Sequence, residues 1–421
     1  MNKIKISQGK RPVLSQAMLF IILFGIVSLF SDMTHEGASS IRGAYLSLLG
    51  ASAGTIGFVS GLGELIGYSL RYVFGRLTDR TKQYWPMTIA GYVLDIVAVP
   101  ALALVGEQGW IAACALLIVQ RMGKAIKKPA KDTLMSFAAS QEGVGKSFGI
   151  QEVLDQIGAL LGPVLLYLVL LLKTDGSTFE AYSTCFAVLA IPGAVTLILL
   201  LVTKRRFPNP EHFEPEPKEY VPFKLEKRFI LYIAGISLFA FGFIDYSIII
   251  MHVSRTYAGL ASGLAETGSL VSGGTLPLLY AGAMLVDAVA ALFFGFMYDK
   301  KGVRALVWST LISAPFALLI FAYQSIPAVL VGVALWGVGM GAQESILKAA
   351  VTSMVPKQSR ATGYGIFECA FGAFWFLGSW LMGVLYDISI PAMIAVSVIA
   401  QLAAIPLYII AGKDKKPIQT K

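Results

Sequence analysis

Long apolar runs recur along the whole chain, and short polar stretches that hold most of its charges separate them. Each run is close to the length of about 20 residues that an α-helix needs to cross the hydrocarbon core of a bilayer. They are too long for the strands of a membrane barrel, which alternate over roughly 10 residues. The pattern predicts twelve membrane-spanning helices, near residues 14–36, 53–74, 84–104, 109–134, 147–172, 181–203, 229–251, 276–297, 303–323, 326–354, 362–385 and 388–411.

The polar stretch after the sixth run differs from the other loops. Between Lys204 and Arg228 it carries prolines at 208, 210, 215, 217 and 222 together with many charges. Such a composition cannot bury a core and is typical of a linker. We therefore predict an all-α membrane protein with a six-helix bundle over 1–203, a cytoplasmic linker over 204–228, and a second six-helix bundle with a short cytoplasmic tail over 229–421.

Composition supports lipid as the solvent. Only 14% of the 421 residues are charged and 56% are hydrophobic, with a mean hydropathy of +0.71, whereas a soluble domain carries about 25% charged residues. Cys114, Cys185 and Cys369 lie in apolar runs without a CxxC spacing, so we interpret them as packing residues.

The basic residues follow the loops. Lysines and arginines concentrate at alternate helix ends, in the linker and at both termini, whereas the opposite loops are predicted to hold only Arg42, Lys173 and Arg255. By the positive-inside rule both termini are cytoplasmic in a cell (plasma) membrane. The net charge of +9 thus reflects topology, and no nucleic-acid partner is expected. The first run lacks a small-residue cleavage site and is predicted to stay as an uncleaved helix.

The two halves repeat short sequences. Residues Phe148–Glu152 are similar to Tyr364–Glu368, and the charged stretch Gly75–Lys82 has a second copy at Gly295–Gly302. We predict that each copy forms a turn, in which the glycine lets two helix ends approach and the Asp accepts backbone N–H groups at a helix start. Since each half has an even number of runs, the repeats share one orientation, a build known from secondary transporters.

These features together resemble the major facilitator superfamily over nearly the whole chain. The family pattern Gly-x-Leu-x-Asp-Arg-x-Gly is matched at Gly75, Leu77, Asp79 and Arg80, although Lys82 replaces the final glycine. The resemblance implies the fold of that family and secondary transport by alternating access. It also implies a gating role for one set of residues: Gly75, Asp79, Arg80, Gly295, Asp299 and Lys300.

A second motif resembles the glycine spacing that antiporters of this superfamily carry in the fifth helix. Gly149, Gly158, Gly162 and Pro163 match it, but the glycine pair that usually follows is missing. The stretch from Arg121 to Asp132 further resembles a prokaryotic branch of efflux permeases. These resemblances imply efflux by antiport.

Ionisable residues inside the apolar runs are expensive, at roughly 2.5–3.5 kcal/mol each, so each needs a partner or a cavity. Asp32, His35 and Glu36 share one face of the first helix near its predicted outer end. Their closeness allows a proton site, a divalent metal site, or a surface cluster paired with Arg42. We expect no dedicated metal site, because no further histidine lies nearby.

Two other helices of the first half carry charges. Glu64 and Arg71 either pair with each other, or Glu64 faces a cavity and binds a proton or a cationic substrate. The fourth helix has a basic face of Arg121, Lys124, Lys128 and Lys131. Lys127, Lys128 and Lys131 are shallow enough to snorkel. Arg121 and Lys124 are too deep for that and are predicted to face the cavity or an acid such as Asp155. A basic cavity face favours an anionic or zwitterionic substrate.

The second half contributes further candidates. Asp245, Asp287, Glu344, Lys348 and Glu368 lie in its apolar runs. Glu344 and Lys348, four residues apart, are placed to neutralise each other, whereas Asp287 has no partner nearby in sequence and is expected to face the cavity or to bond another helix. Trp375 and Phe376 either line that cavity or pack.

The sequence therefore predicts a secondary transporter, most simply one that exchanges a small organic compound for protons. Its proton or substrate candidates are Asp32, Glu36, Glu64, Arg121, Lys124, Asp155, Asp245, Asp287 and Glu344. The alternatives are an organic-anion transporter that uses the fourth helix, and a transport-inactive sensor or scaffold. No phosphate loop or HExxH motif is present, so we expect no catalytic site and no cofactor, and a monomer in the bilayer.

Overall fold

The computed structural model describes residues 15–173, 177–213, 226–261, 274–355 and 360–412. In these ranges all regular structure is helical and no strand occurs, as the sequence predicted. The α-helices are α1 (Gln16–Leu48), α2 (Ala53–Thr81), α3 (Tyr84–Ala101), α4 (Trp110–Glu142), α5 (Val144–Leu172), α6 (Thr178–Val188), α7 (Ala190–Arg206), α8 (Lys227–Gly242), α9 (Tyr246–Ala261), α10 (Leu276–Lys301), α11 (Ala305–Ser313), α12 (Phe316–Phe321), α13 (Ile326–Met354), α14 (Arg360–Ile388) and α15 (Ile390–Ala411).

Some neighbouring helices join into longer segments. Leu189 alone separates α6 from α7, and two residues separate α11 from α12. Nine stretches of the described chain are long and apolar enough to cross a membrane, of which one runs from Leu276 to Phe321. Neither α2 nor α4 is among them, and both carry charged residues along their length. The chain is thus a multi-pass membrane protein, and the count of twelve crossings stays a prediction.

The first helix is longer than its hydropathy indicated. The prediction ended it near residue 36, but α1 continues to Leu48. Arg42 is buried within this extension, and Ser40 Oγ donates to the Gly37 carbonyl. Just past the helix Gly50 takes a φ of +92°, which glycine adopts without steric cost. The prediction that Arg42 lies in a loop is therefore wrong.

The charged stretch that begins at Gly75 is helical for most of its length. α2 runs through Asp79, and the chain turns only at Lys82, where φ is +58°. In the second copy α10 continues to Lys301, and the turn falls at Gly302 with a φ of +60°. The prediction of a turn that starts at the glycine is therefore wrong. Both motifs form the last turns of long helices, so Asp79 does not lie at a helix start.

Replacing Lys82 by glycine is expected to stabilise the protein by about 0.5–1 kcal/mol. The left-handed conformation costs an L side chain about 1–2 kcal/mol, and the extra chain entropy of glycine offsets only about half of that. Gly302→Ala is expected to act in the opposite direction, by about 1–3 kcal/mol. The unfolding midpoint in detergent measures both. If Lys82→Ala stabilises as much as Lys82→Gly, backbone strain is not the cause.

Buried apolar side chains form two clusters within the described residues. The smaller joins α1 to α3 through Phe20 and Trp85. The larger surrounds Phe243 and extends through both halves. Cys114 and Cys185 belong to the larger cluster and are free thiols, which agrees with their interpretation as packing residues.

Helices of each half pack mainly on one another. In the first half α1 packs on α5 and α3 packs on α4, and in the second half α8 packs on α15 and α10 packs on α13. The halves meet where α2 packs on α14, α5 on α10 and α1 on α9. Residues 214–225 of the predicted linker lie outside the described ranges, and α7 continues to Arg206. The bounds of the two bundles and of the linker stay predictions.

Candidate functional site

A cavity of about 1410 Å³ lies between the helices of the two halves. Its inner end is lined by Arg42 and Trp336, which are 7% and 3% exposed. Near the last turns of α2 and the start of α5, its lining includes Tyr72, which is 47% exposed, and the exposed Glu152. The cavity therefore reaches the surface at the end of the molecule that carries Gly75.

Every residue that the sequence singled out as a proton or substrate candidate lines this cavity. They are Asp32, Glu36, Glu64, Arg121, Lys124, Asp155, Asp245, Asp287 and Glu344. The argument that selected them was that a charge in hydrocarbon needs a partner or a water-filled space. The structure brings them to one place, and their roles in proton or substrate binding stay predictions.

Asp32, His35 and Glu36 lie in the middle of α1, because that helix extends to residue 48. The prediction that they lie near its outer end is wrong. Glu36 is held on two sides: His35 Nε2 is 3.5 Å from Glu36 Oε1, and the Tyr280 hydroxyl donates to Glu36 Oε2 at 2.5 Å. Among the described residues no group of three His, Cys, Asp or Glu is arranged to hold a metal ion.

Arg42 pairs with the second half and not with the acids of α1. Its guanidinium donates to Ser247 Oγ at 2.9 Å and lies 3.9 Å from Asp245 Oδ1. The chain between α8 and α9 is not helical at this point, and Asp245 Oδ1 accepts the Ser247 N–H at 2.8 Å. Interrupted membrane helices often line ligand sites in transporters. The alternative in which Arg42 neutralises the acids of α1 is wrong.

The basic face of α4 points into the cavity, and its members have different partners. Arg121 Nη1 lies 2.7 Å from Glu64 Oε1 of α2, so the acid beside it is not Asp155. Lys124 Nζ lies 3.0 Å from His35 Nε2. Arg121 is thus neutralised by an acid of a neighbouring helix, whereas Lys124 contacts a histidine ring and no carboxylate of the described residues.

Asp95 is a buried acid that the sequence interpretation missed. Lys127 forms an ion pair with Asp95 Oδ2 and donates to Ser31 Oγ at 2.9 Å. Gln120 Nε2 donates to Asp95 Oδ1 at 2.6 Å, and Asp95 is only 2% exposed. Lys127 is therefore held inside the bundle and does not snorkel. The signal was present, since Asp95 is an ionisable residue in an apolar run.

Arg71 joins the two halves. Its Nη1 atom lies 3.6 Å from Glu368 Oε1 of α14, and its guanidinium lies over the ring of Tyr68 at 4.7 Å. The alternative in which Arg71 pairs with Glu64 on the same helix is therefore wrong. With Arg42 and Asp245, this is a second ion pair between the halves along the cavity wall.

Asp287 of α10 is a buried carboxylate of the cavity wall without a cation beside it among the described side chains. It is 2% exposed, and its Oδ1 atom accepts no hydrogen bond. No Lys, Arg or His of the described side chains lies within 4.0 Å of it. The predicted pair of Glu344 with Lys348 falls outside the described side chains, because that of Lys348 is not among them.

The two aromatic candidates of α14 differ. Trp375 lines the cavity, and its buried Nε1 donates to no partner among the described residues. Phe376 packs instead against Phe58 and Trp380, with ring centroids 5.5 and 6.0 Å away. Of the two interpretations, cavity lining holds for Trp375 and packing holds for Phe376.

The opposite end of the molecule is closed by contacts between the halves. Asp387 of α14 accepts the Gly54 N–H at 2.8 Å at the start of α2. Arg255 of α9 donates to Ser47 Oγ at 2.8 Å. Gly43 leaves no room for a Cβ against the backbone of α9. These contacts separate the inner end of the cavity from that surface.

Asp387→Ala is expected to open this end in part. The carboxylate caps the first N–H groups of α2, a contact that contributes about 0.5–2 kcal/mol, and it acts across the two halves. A loss of about 1.4 kcal/mol corresponds to a roughly tenfold larger population of the open form. Distances between spin labels at Leu48 and Ile388 measure that population.

The matched control is Ser389→Ala. Ser389 caps α15 by accepting the Ala392 N–H at 3.4 Å, a contact within the second half. We expect this variant to leave the distance distribution unchanged. Equal effects of the two variants would mean that general destabilisation, and not the contact between the halves, opens the protein.

The motif residues lie at two places. Gly75 lines the open end of the cavity. Arg80 is exposed at the end of α2, and Asp299 and Lys300 are exposed at the end of α10, one turn after Gly295. The side chain of Asp79 is outside the description. On α5, Gly158 and Gly162 pack on the backbone of α1, and Pro163 is buried inside the helix. A Cβ added at Gly149 would meet nothing within 4 Å.

A family model described as Major Facilitator Superfamily matches residues 13–281 and 249–421. An uncharacterized protein of Mycobacterium tuberculosis is 38% identical over 401 residues, which are 94% of this chain and 93% of the relative. An uncharacterized MFS-type transporter of Methanocaldococcus jannaschii is 26% identical over 370 residues, 88% of this chain and 89% of that protein.

Solved structures with the same fold include the nucleoside transporter NupG, with a TM-score of 0.72 at 14% identity over 94% of this chain and 100% of that one. A D-xylose-proton symporter gives a TM-score of 0.66 at 14% identity, over 95% and 98% of the two chains. At these identities the likeness concerns the fold alone.

Proposed function

The chain belongs to the major facilitator superfamily, and on that premise we propose that it is a proton-coupled antiporter that expels a small organic compound across the cell membrane. It would work by alternating access, with the Gly75 and Gly295 motifs closing one end and the contacts around Asp387 closing the other. In this proposal both termini are cytoplasmic, so the described conformation is open toward the cytoplasm.

The observation that carries the proposal is the charged cavity that reaches one surface while contacts between the halves close the other. A carrier needs such a passage, whereas a scaffold or sensor has no use for the cost of so many ionisable residues within lipid. The closing contacts include the hydrogen bonds of Asp387 and Arg255. They can be exchanged for others when the halves rock.

Proton coupling is proposed at Asp287. This carboxylate is buried in the cavity wall and has no described cation beside it. A buried carboxylate is stable only when it holds a proton or a cationic partner. If a proton and a positively charged group of the solute compete for Asp287, binding of one releases the other, and the two move in opposite directions.

The organic-anion alternative rests on the basic face of α4. Arg121 and Lys128 of that face already have a carboxylate partner, as does the neighbouring Lys127. Only part of its charge is therefore left for a solute. This favours a solute that brings charges of both signs or a single anionic group.

The test uses purified protein in liposomes that contain a fluorescent pH indicator, at equal pH on both sides. Amino acids, nucleosides, sugars and small amines are added outside one at a time. Antiport predicts that uptake of a solute makes the lumen more alkaline, symport predicts that the lumen becomes more acidic, and uniport predicts no change. In Asp287→Asn we expect the pH signal to vanish while exchange of labelled solute against unlabelled solute continues.

Asp132→Asn is the control, because Asp132 is a half-exposed carboxylate of the same cavity that pairs with Lys128 at 3.3 Å. It should keep the pH signal of the wild type. An acidified lumen, or solute uptake without any proton movement, would overturn the antiport proposal and leave the assignment to the superfamily intact.

A further inference from the structure

The two walls of the cavity carry opposite charge. Every lysine and arginine among its described lining residues lies between Arg42 and Lys131, on α1, α2 and α4 of the first half. The charged residues that the second half contributes to the described lining are all acids, namely Asp245, Asp287, Glu344 and Glu368, whereas the first half contributes acids as well as cations. Two cations of the first wall pair across the cavity, Arg42 with Asp245 and Arg71 with Glu368.

Lys124 is a basic group of the first wall that has no described carboxylate partner at ion-pair distance. No carboxylate oxygen of the described residues lies within 4.0 Å of its Nζ atom, which lies 3.0 Å from Nε2 of His35. Arg121 acts on Lys124 as a second cation, and the acids Glu36, Asp32 and Glu64 act on it from further away, whereas Lys131 has Asp155 as its main charged neighbour. An anionic group at hydrogen-bond distance from Nζ would therefore supply the direct partner that Lys124 lacks among the described residues.

The second wall offers the complementary surface. Asp287, Trp375 and Tyr246 all line the cavity, are at most 6% exposed, and each has a polar side-chain atom that bonds to nothing described. The ring of Tyr246 lies 4.6 Å from that of Tyr280 and 5.1 Å from that of Trp336. The carboxylate of Asp287 suits an alkylammonium group, and the aromatic rings of the same wall suit the apolar part of an organic ligand.

Glu36 of α1 lines the same cavity, and its charge acts on both Lys124 and Asp287. Its own oxygens are held by Tyr280 and His35. Glu36 is therefore not the acceptor that is left for the cationic group of a ligand.

We infer that the cavity binds a small zwitterion, whose carboxylate lies against Lys124 and whose ammonium group lies against Asp287. Amino acids and betaines have this chemistry. The inference rests on the proposed function, since it names the solute of the same cavity. The acids of the second wall would repel a purely anionic ligand. Lys124 and Arg121 of the first wall would repel a purely cationic one.

Binding tests this without a proton gradient or transport. The melting temperature of the detergent-solubilised full-length protein is measured with ligand series that share a side chain and differ in charge. Each series holds an amino acid, its methyl ester (a cation) and its N-acetyl derivative (an anion), for phenylalanine, leucine and methionine, with glycine betaine added. Ligand that binds only the folded protein raises this temperature. In at least one series we expect the zwitterion to bind at least tenfold more tightly than both derivatives.

Two variants assign the ends of the ligand. Lys124→Met should abolish the preference for the zwitterion over the ester, and Asp287→Asn should abolish the preference over the N-acetyl form. Lys128→Met is the control, because Lys128 lies one turn further along α4 and pairs with Asp132. It should keep both preferences. The series on the wild type needs no variant, so the inference stays testable even if Asp287→Asn does not fold.

Equal or tighter binding of the ester or the N-acetyl form than of the zwitterion in every series that binds to the wild type would overturn the inference. The absence of binding by every member at about 10 millimolar would overturn it as well. Zwitterion binding without solute-driven proton movement would instead contradict only the antiport proposal. Proton movement driven by a sugar or nucleoside would support antiport and contradict the zwitterion.

Discussion

Asp95→Ala is expected to lower the free energy of unfolding by about 3–5 kcal/mol, because it leaves the buried charge of Lys127 without a counter-ion. Lys127 is only 7% exposed. Its remaining contacts, the Ser31 hydroxyl at 2.9 Å and the face of the Tyr92 ring at 4.1 Å, do not replace a carboxylate. The unfolding midpoint in detergent measures the loss, which is a large part of the usual stability of about 5–15 kcal/mol.

Two comparisons separate the charge from the packing. Asp132→Ala removes a carboxylate that pairs with Lys128 at 3.3 Å, where both side chains are more than a third exposed, so a change within about 0.5 kcal/mol is expected. Asp95→Leu combined with Lys127→Met removes both charges and should restore most of the lost stability. A double variant no more stable than Asp95→Ala would show that the unpaired charge is not the cause.

Asp95 also shows what the sequence can and cannot predict. The cost of an ionisable group in lipid identified Asp32, Glu64 and Asp287, and these line the cavity. That argument depends only on residue type and position, so it needs no knowledge of neighbours. The same argument applies to Asp95, although the sequence interpretation missed it. It also applies to Lys127, for which snorkelling is a simpler explanation at the level of the sequence.

The partners of these charges could not be predicted. Arg121 pairs with Glu64, Arg71 with Glu368 and Lys127 with Asp95. Each pair joins two different helices, and the pair of Arg71 joins two halves. Spacing along one helix, the only geometry that a sequence supplies, offered Glu64 with Arg71 as one of two alternatives. Which helices meet is decided by close packing of small residues and is not visible in a hydropathy pattern.

The ends of α1 and α2 were wrong for a related reason. The polar residues after positions 36 and 74 are interpreted as leaving the membrane, since hydropathy treats every polar residue as exposed to water at a helix end. In the structure, polar side chains of both helices line a cavity inside the protein. A helix that lines such a passage keeps its polar face at any depth, so α1 continues to Leu48 and α2 to Thr81.

Gly158→Ala combined with Gly162→Ala is expected to destabilise the protein by about 2–4 kcal/mol. Both glycines face α1, where a Cβ would overlap the backbone of Leu29 and of Met33. Because backbone atoms cannot rotate away, α1 and α5 would have to move apart. Overpacking costs about 1–3 kcal/mol at each site, and the better helix propensity of alanine offsets up to about 1 kcal/mol of that.

Gly149, the third glycine of the same motif, is the control, because its replacement by alanine is expected to stabilise the protein. A Cβ at Gly149 meets nothing within 4 Å, so Gly149→Ala should raise the unfolding midpoint in detergent through helix propensity alone, by about 0.5–1 kcal/mol. If the double variant keeps wild-type stability, α1 and α5 do not need this close approach. A double variant of full stability that fails to move protons would instead indicate that these glycines act in the transport cycle and not in packing, because only the moving protein would then require them.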